Sequence, residues 1–353
     1  MIAFITDHKF IVSQEGIRSN RFDKGTLLRY AEVNKGLLIL GRKVVSDDNG
    51  ENISDEKIRF VLTNNKAVLL SQCIKNLRYS IRIIRLPSAY GYVQGVICLI
   101  FNKRYFVELV GDPHDSIYYS SGKIRAARWS RLICKWIVKY AEKTAYVNSS
   151  KLPISYPTRG KDFILSNVIL RPPENSKVTS RIQKIGFVGS LESEYKGLGD
   201  LISVLTNLRF NGVLDIIGEG KLKSFYVSRL KQSGLSFTIS GYYSDNKKYL
   251  DHISSFDLYV MSSYTEGLSR TLLDCMNQRV LSVSSDAGGS KEVLPENRIW
   301  KVGDLNHMSF VISQVLGLGK DEIATEVEEN LLMCESYYYD RIWKIRKEFL
   351  AIE

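Results

Sequence analysis

The sequence predicts an α/β protein made of two Rossmann-like, doubly wound domains. Three observations predict it. The chain has 353 residues, more than one ordinary core holds and about the size of two α/β domains. Short runs of β-branched and aromatic residues alternate with helix-sized gaps in both halves, the pattern of parallel strands joined by crossover helices. In the second half, glycine-rich turns follow successive strands, which is where doubly wound sheets bind ligands.

In the first half, strands are expected at Ile2–Ile5, Leu37–Leu40, Ile81–Leu86, Tyr105–Val110 and Thr144–Val147. In the second half they are expected at Lys184–Val188, Leu214–Ile217, Phe237–Ser240, Leu258–Met261, Val280–Val283 and Ile299–Val302. The stretch Arg171-Pro172-Pro173-Glu174-Asn175-Ser176 reads as the linker, because consecutive prolines exclude helix and the flanks are polar. It separates a domain of residues 1–172 from one of residues 181–335. The segment from Tyr337 to Trp343 reads as the start of an amphipathic helix that packs on a core. Two such domains on a linker form a cleft between facing strand ends.

Composition narrows the function classes. Hydrophobic residues make up 44% and charged residues 25%, a globular balance rather than a disordered one. No apolar run reaches the roughly 18 residues that span a bilayer. The N-terminus lacks a basic segment and a cleavage site, so the chain is expected to fold in the cytoplasm. The five cysteines are widely spaced, with no C-x-x-C, which argues against a disulfide framework or a zinc ribbon. The four histidines form no close pair, and no metal site is expected. Charge is uneven: residues 1–180 carry 29 Lys+Arg against 15 Asp+Glu, whereas residues 181–353 carry 20 against 23. Such asymmetry points one half towards a polyanion or an anionic surface.

The chemistry concentrates in the second half. One strand leads to Gly189-Ser190-Leu191 and Lys196-Gly197, and the next to Gly218-Glu219-Gly220. A later one leads to Ser262-Ser263-Tyr264-Thr265-Glu266-Gly267-Leu268-Ser269, and the one after it to Asp286-Ala287-Gly288-Gly289. Glycine lets a backbone approach a phosphate, and the N–H groups at a helix start bind anions. Gly267, Leu268 and Ser269 are placed to do this, and Lys196 adds a point charge. Glu266 and Asp274 would lie about 12 Å apart along a helix, on nearly one face. That separation suits the two ends of a nucleotide sugar, each carboxylate accepting from a pair of hydroxyls.

The order Phe187-Val188-Gly189-Ser190-Leu191…Lys196-Gly197, Ile216-Ile217-Gly218-Glu219-Gly220, Ser263…Glu266-Gly267-Leu268-Ser269-Arg270…Asp274, Gly288-Gly289…Glu292-Val293 resembles the C-terminal half of family 4 glycosyltransferases. Weaker pieces, Thr6-Asp7-His8-Lys9-Phe10, Arg85-Leu86-Pro87 and Val110-Gly111-Asp112-Pro113-His114-Asp115, look like members that build bacterial surface polysaccharides. The resemblance implies a retaining enzyme of hexosyltransferase type with two Rossmann-like domains facing across a cleft, the GT-B architecture. It implies that Glu266 contacts the donor sugar and Asp274 the ribose, and that the helix at about 336–353 crosses back onto the first domain. It also implies that the leaving diphosphate takes the acceptor's proton, so that no metal or other cofactor is obligatory. Two positions depart from the pattern. Ser190 stands where many members carry arginine, and Asp274 where the second acid is usually glutamate.

The resulting donor-side candidates are Gly189, Ser190, Lys196, Gly220, Tyr242, Glu266, Gly267, Leu268, Ser269 and Asp274, toward a UDP- or GDP-linked sugar. Catalytic candidates are Glu266, Lys196 and Asp112. Gly16, Arg18 and His114 are assigned to the acceptor side, with the loop Gln14–Ser19 facing a glycan or lipid-linked glycan. Asp112 reads equally as a helix cap. The segment Lys123–Lys143 carries seven basic residues and one acid, with Trp129, Leu132, Ile133, Trp136 and Ile137 interleaved at helical spacing. It reads either as the solvated face of a packed helix or as a surface adhering to an anionic leaflet, which would place the enzyme at the inner face of the plasma membrane. A sugar-nucleotide epimerase on the same architecture and a non-catalytic relative stay open. A nucleic-acid-binding protein is disfavoured, because the basic half lacks a recognised binding motif.

Overall fold

The computed structural model describes residues 1–19, 22–33, 35–45, 50–173, 179–243 and 245–351. Glu174, Asn175 and Ser176 of the expected linker lie outside the described residues. The chain packs into two compact units. Unit 1 comprises Met1–Tyr118, Lys123–Leu165 and Trp343–Glu353, and unit 2 comprises Tyr119–Gly122 and Ser166–Ile342. The break thus falls before the diproline rather than after it.

Unit 1 holds β1 (Ile2–Ser13), β2 (Gly16–Ser19), β3 (Leu37–Val44), β4 (Glu51–Asn52), β5 (Ile58–Leu62), β6 (Ile81–Leu86), β7 (Phe106–Leu109), β8 (Lys143–Tyr146) and β9 (Lys161–Ile164) in one sheet. Its helices are α1 (Lys24–Val33), α2 (Lys66–Lys75), α3 (Ala89–Ile100), α4 (Pro113–Ser121, of which Tyr119 to Ser121 group with unit 2), α5 (Ile124–Lys139) and α6 (Leu152–Ser155). The parallel strands run β5-β3-β1-β6-β7-β8-β9 in space. Ile2, Ala3, Phe4 and Ile5 are all buried, as expected of a central strand covered on both faces. Beyond Ile5 the register on β3 shifts, and the strand continues to Ser13 before turning back as β2. The segment Gln14–Ser19, expected as a loop, is therefore mostly the antiparallel partner of β1. Gly16, at φ +131°, makes the return, and Ser13 Oγ donates to its carbonyl at 3.0 Å.

Unit 2 holds β10 (Lys184–Val188), β11 (Val213–Ile217), β12 (Ser236–Ser240), β13 (Leu258–Met261), β14 (Leu281–Ser285) and β15 (Ile299–Trp300), with α7 (Leu198–Asn207), α8 (Lys223–Ser233), α9 (Asn246–Ile253), α10 (Arg270–Asn277), α11 (Leu305–Leu316) and α12 (Lys320–Cys334). All its strand pairs are parallel, in the order β12-β11-β10-β13-β14-β15. One core lies under α7, α8 and α11 around Ile185, Phe187, Leu214 and Leu281. Another lies under α9 and α10 around Tyr259, Met261, Leu272 and Met276. The five cysteines are buried and unpaired.

A final helix, α13 (Tyr339–Leu350), follows. Its residues from Trp343 onward group with unit 1. There Phe349 packs against Phe106 and Phe163, with ring centroids 5.5 and 5.6 Å apart. Arg346, 2% exposed, donates to Tyr30 Oη. Tyr30 in turn donates to Glu108 Oε1 at 2.5 Å, and Arg85 donates to Glu108 Oε2 at 3.1 Å. Glu108 thus answers two guanidinium groups inside the unit. Removing it leaves both without their acid, so Glu108→Ala is expected to lower the stability of unit 1 by about 3 kcal/mol or more. Urea unfolding followed by circular dichroism measures this, with Glu108→Gln as the milder comparison.

Candidate active site

In unit 2 the chain winds outward from β10 through β11 to β12, then returns to the other side of β10 as β13. The sheet's direction of winding therefore switches between β10 and β13, and the loops leaving the carboxyl ends of those strands diverge there. These loops carry Gly189–Gly197 and Ser262–Ser269.

Hydrogen bonds stitch the loops together. Tyr264 N–H donates to Tyr195 O at 2.8 Å, and Ser262 Oγ to Lys196 O at 3.0 Å. Gly197 has φ +73°, and a Cβ on it would lie 2.1 Å from Ser262 O, so only glycine lets the first loop touch the second. Gly288, at φ +61°, repeats the arrangement: its Cβ would lie 2.2 Å from Gly267 O. Gly289 N–H donates to that same oxygen at 2.7 Å. Gly189 N–H donates to Ile217 O at 3.0 Å and Leu191 N–H to Glu219 O at 2.9 Å, which sets Gly189 and Ser190 beside the turn carrying Gly220.

Across this junction Lys196 Nζ lies 2.5 Å from Glu266 Oε1, with side-chain exposures of 20% and 16%. Burial alone lowers an ammonium's pKa. The Glu266 carboxylate, with Tyr195 and Tyr242, outweighs burial, and the Lys196 pKa is raised. The ammonium therefore stays charged, and Tyr242, although exposed, acts on it electrostatically.

The helix does not begin at Glu266. Residues 266–269 are irregular, Ser269 is the N-cap of α10, and its Oγ accepts from Leu272 N–H at 3.3 Å. The expected separation of Glu266 and Asp274 along a single helix is thus replaced by a loop carboxylate and a helix carboxylate. Gly267 and Leu268 precede the cap, and the first-turn N–H groups of Arg270 and Thr271 carry the helix's positive end.

Asp274 is 5% exposed and faces inward on α10. Its Oδ2 has no hydrogen-bond partner, although Arg270 Nε lies 3.5 Å away as an ion-pair contact. Burial lifts the Asp274 pKa from 3.8 to about 6 against the opposing pull of Arg270 and of the Tyr249 hydroxyl. Neither Arg270 nor Tyr249 was given a role from the sequence. The i, i+4 spacing of Arg270 and Asp274 was visible there. Tyr249 sits on α9 and carries no local signal.

The unit 1 candidates form separate clusters. Asp112, 7% exposed, accepts from His114 N–H, Asp115 N–H and Tyr156 Oη at 2.8, 3.1 and 3.1 Å, so it caps the start of α4. His114 Nδ1 lies 3.2 Å from Asp115 Oδ1, and Lys151 Nζ lies 3.0 Å from Asp115 Oδ2. Ligand atoms of Asp112, His114 and Asp115 fall within 4.8 Å of one another, yet both carboxylates are already engaged by donors from this chain. Gly16 and Arg18 lie on the β1–β2 hairpin, where Arg18 pairs with Glu15.

The proton on Asp274 stabilises the folded state, because the folded pKa of about 6 exceeds the unfolded value. This contribution is complete below about pH 4 and lost as pH rises through about 6, amounting to roughly 3 kcal/mol. Asp274→Asn removes it. The difference in unfolding free energy between protein and variant, measured by urea titration at successive pH values, is expected to change over that window and be flat above it.

The profile of the family described as Glycosyl transferases group 1 matches residues 182–316, which lie in unit 2 and contain this junction. Protein CapJ of Staphylococcus aureus is 29% identical over 337 residues, covering 89% of this chain and 85% of the relative. Anabaena Alr3699/HepE, solved in complex with UDP-glucose, superposes with a TM-score of 0.66 at 13% identity, covering 99% of this chain and 97% of that one. The lipopolysaccharide outer core galactosyltransferase WaaB gives a TM-score of 0.61 at 18% identity, covering 99% and 98%. The two structures share the GT-B fold with this protein, and residues 182–316 match the group 1 glycosyltransferase family, which together with the relative supports an enzyme of hexosyltransferase type.

Proposed function

We propose that the enzyme moves a sugar, with retention of configuration, from a UDP- or GDP-linked donor to a glycan or lipid-linked glycan in the building of a bacterial surface polysaccharide such as capsule, O-antigen or exopolysaccharide. It works in the cytoplasm, at the inner face of the plasma membrane. The observation that carries this reading is the Lys196–Glu266 pair at the switch between β10 and β13. A charged ammonium and the first turn of α10 together suit a diphosphate. Lys196 balances the charge that grows on the leaving diphosphate, and Glu266 accepts from hydroxyls of the sugar. The UDP-glucose complex of Alr3699/HepE, on the same fold, supports a nucleotide sugar as donor. The name of WaaB, a lipopolysaccharide enzyme, supports a surface glycan as product.

Asp274 fits the ribose end because its Oδ2 is buried and makes no hydrogen bond, the Arg270 Nε standing 3.5 Å off as an ion-pair contact. Hydroxyls donating to it favour the ionised carboxylate, so donor binding expels a proton. Asp112, spent on capping α4, enters as the residue that fixes the turn bearing His114, with Gly16 and Arg18 as further acceptor-side candidates.

A panel of nucleotide sugars is expected to raise the melting temperature selectively, the true donor most. Glu266→Ala is expected to cut transfer or donor hydrolysis by about 100-fold or more; undiminished turnover in this variant would remove Glu266 from the site. The anomeric configuration of the first-formed product, read by NMR, decides retention. Donor affinity is expected to weaken as pH falls below about 6. That dependence should vanish in Asp274→Asn, since the diphosphate diester of a nucleotide sugar does not titrate in this range.

A further inference from the structure

The basic segment of unit 1 is one helix, α5, whose buried side is Ala127, Ser130, Cys134, Ile137 and Val138. Its tryptophans are not part of that packing. Trp129 is 67% exposed and Trp136 62%, with Leu132 and Tyr140 also exposed. Positions 129, 132, 136 and 140 follow one helical face. At 100° per residue, Arg128, Arg131, Lys135 and Lys139 fall on an adjoining stripe. Arg125, Arg128, Arg131 and Lys135 have no carboxylate partner among the described residues. The segment's single acid, Glu142, is taken by Arg104. A second helix of the same unit also carries exposed apolar side chains. The neighbouring α3 approaches α5 so closely that a Cβ on Gly95 would lie 2.6 Å from Ile137 Cδ1, and its end leaves Ile100 and Phe101 exposed.

We propose that this face of unit 1 is a membrane-docking surface, in which Trp129, Leu132 and Trp136 enter the interfacial layer of an anionic bilayer while the adjoining Arg and Lys stripe binds its headgroups. The inference deepens the membrane placement in the proposed function and rests on it in that respect only; donor chemistry in unit 2 is independent of it. Two indoles exposed two turns apart on one helical face cost solvation that an ordinary packed helix avoids. Indoles favour the bilayer interface, where an apolar body meets a wet edge. An anionic leaflet supplies the charge that the unpaired basic stripe lacks. A second copy of the chain would bring the same basic stripe against itself, and a nucleic acid would engage the cations while leaving the aliphatic side chains exposed.

Flotation of the full chain with phosphatidylcholine vesicles, with and without phosphatidylglycerol, tests the proposal. Binding is expected only with the anionic lipid, with a blue shift of tryptophan emission. Trp129→Ala/Trp136→Ala is expected to weaken partitioning about tenfold or more, and Arg128→Glu/Lys135→Glu to weaken it by at least as much. Both variants should keep the donor-induced thermal shift, which separates loss of docking from failure of the donor site. The proposal is overturned by absence of binding to anionic vesicles, by tryptophan variants that bind like the parent, or by a dimer in solution that those variants dissociate.

Discussion

At the junction of β10 and β13, main chain lies against main chain. The loop ending at Gly197 touches Ser262, and the turn at Gly288 touches Gly267, with no space for a side-chain carbon at either place. These two contacts determine what the strand ends can present. The first brings Lys196 to the neighbouring loop and so within reach of Glu266. The second holds the residues just before the cap of α10. Glycine reads in sequence as permission for a phosphate to come close. In the folded chain Gly197 and Gly288 chiefly permit other backbone to come close, and any phosphate meets a surface that this packing has already shaped.

The ion pair that results has a double character. An amine and a carboxylate buried together cost desolvation that their attraction only partly returns. The arrangement keeps the Lys196 ammonium charged and holds it against Glu266, both side chains still partly exposed. A ligand bearing phosphate and hydroxyls can offer each of them a new partner without moving the backbone. That is preorganisation in the sense that matters for stabilising developing charge.

Much of this was legible in the chain itself. The inner strands β10, β11 and β13 of unit 2 announce themselves because parallel strands covered on both faces form nearly continuous apolar runs. The strands missed lie in unit 1. In β9 only Phe163 of four residues is buried, and β4 is two exposed residues, so no hydrophobic pattern exists to find. The extension of β1 into a hairpin escaped for a related reason: the strand passes through polar Thr6, Asp7 and His8 before it resumes at Phe10 and Ile11. At the site, residue identities and their order were readable, but the environment of Asp274 was not. Its burial depends on Tyr249 and the surrounding core of unit 2, contributed by distant segments. Likewise the interleaved tryptophans of α5 resembled core positions in sequence, and only the packed helix shows that they point outward.

The last helix imposes an order on synthesis. The first 165 residues leave the ribosome well before the end of the chain, yet the interior they form around Glu108 is incomplete. Phe106 and Phe163 wait for Phe349, and Glu108 and Tyr30 wait for Arg346. Domains made early in translation ordinarily fold first. Here the unit begun by Met1–Leu165 is finished only when Arg346 and Phe349 arrive, and removing the helix from Trp343 onward leaves that unit without part of its own core.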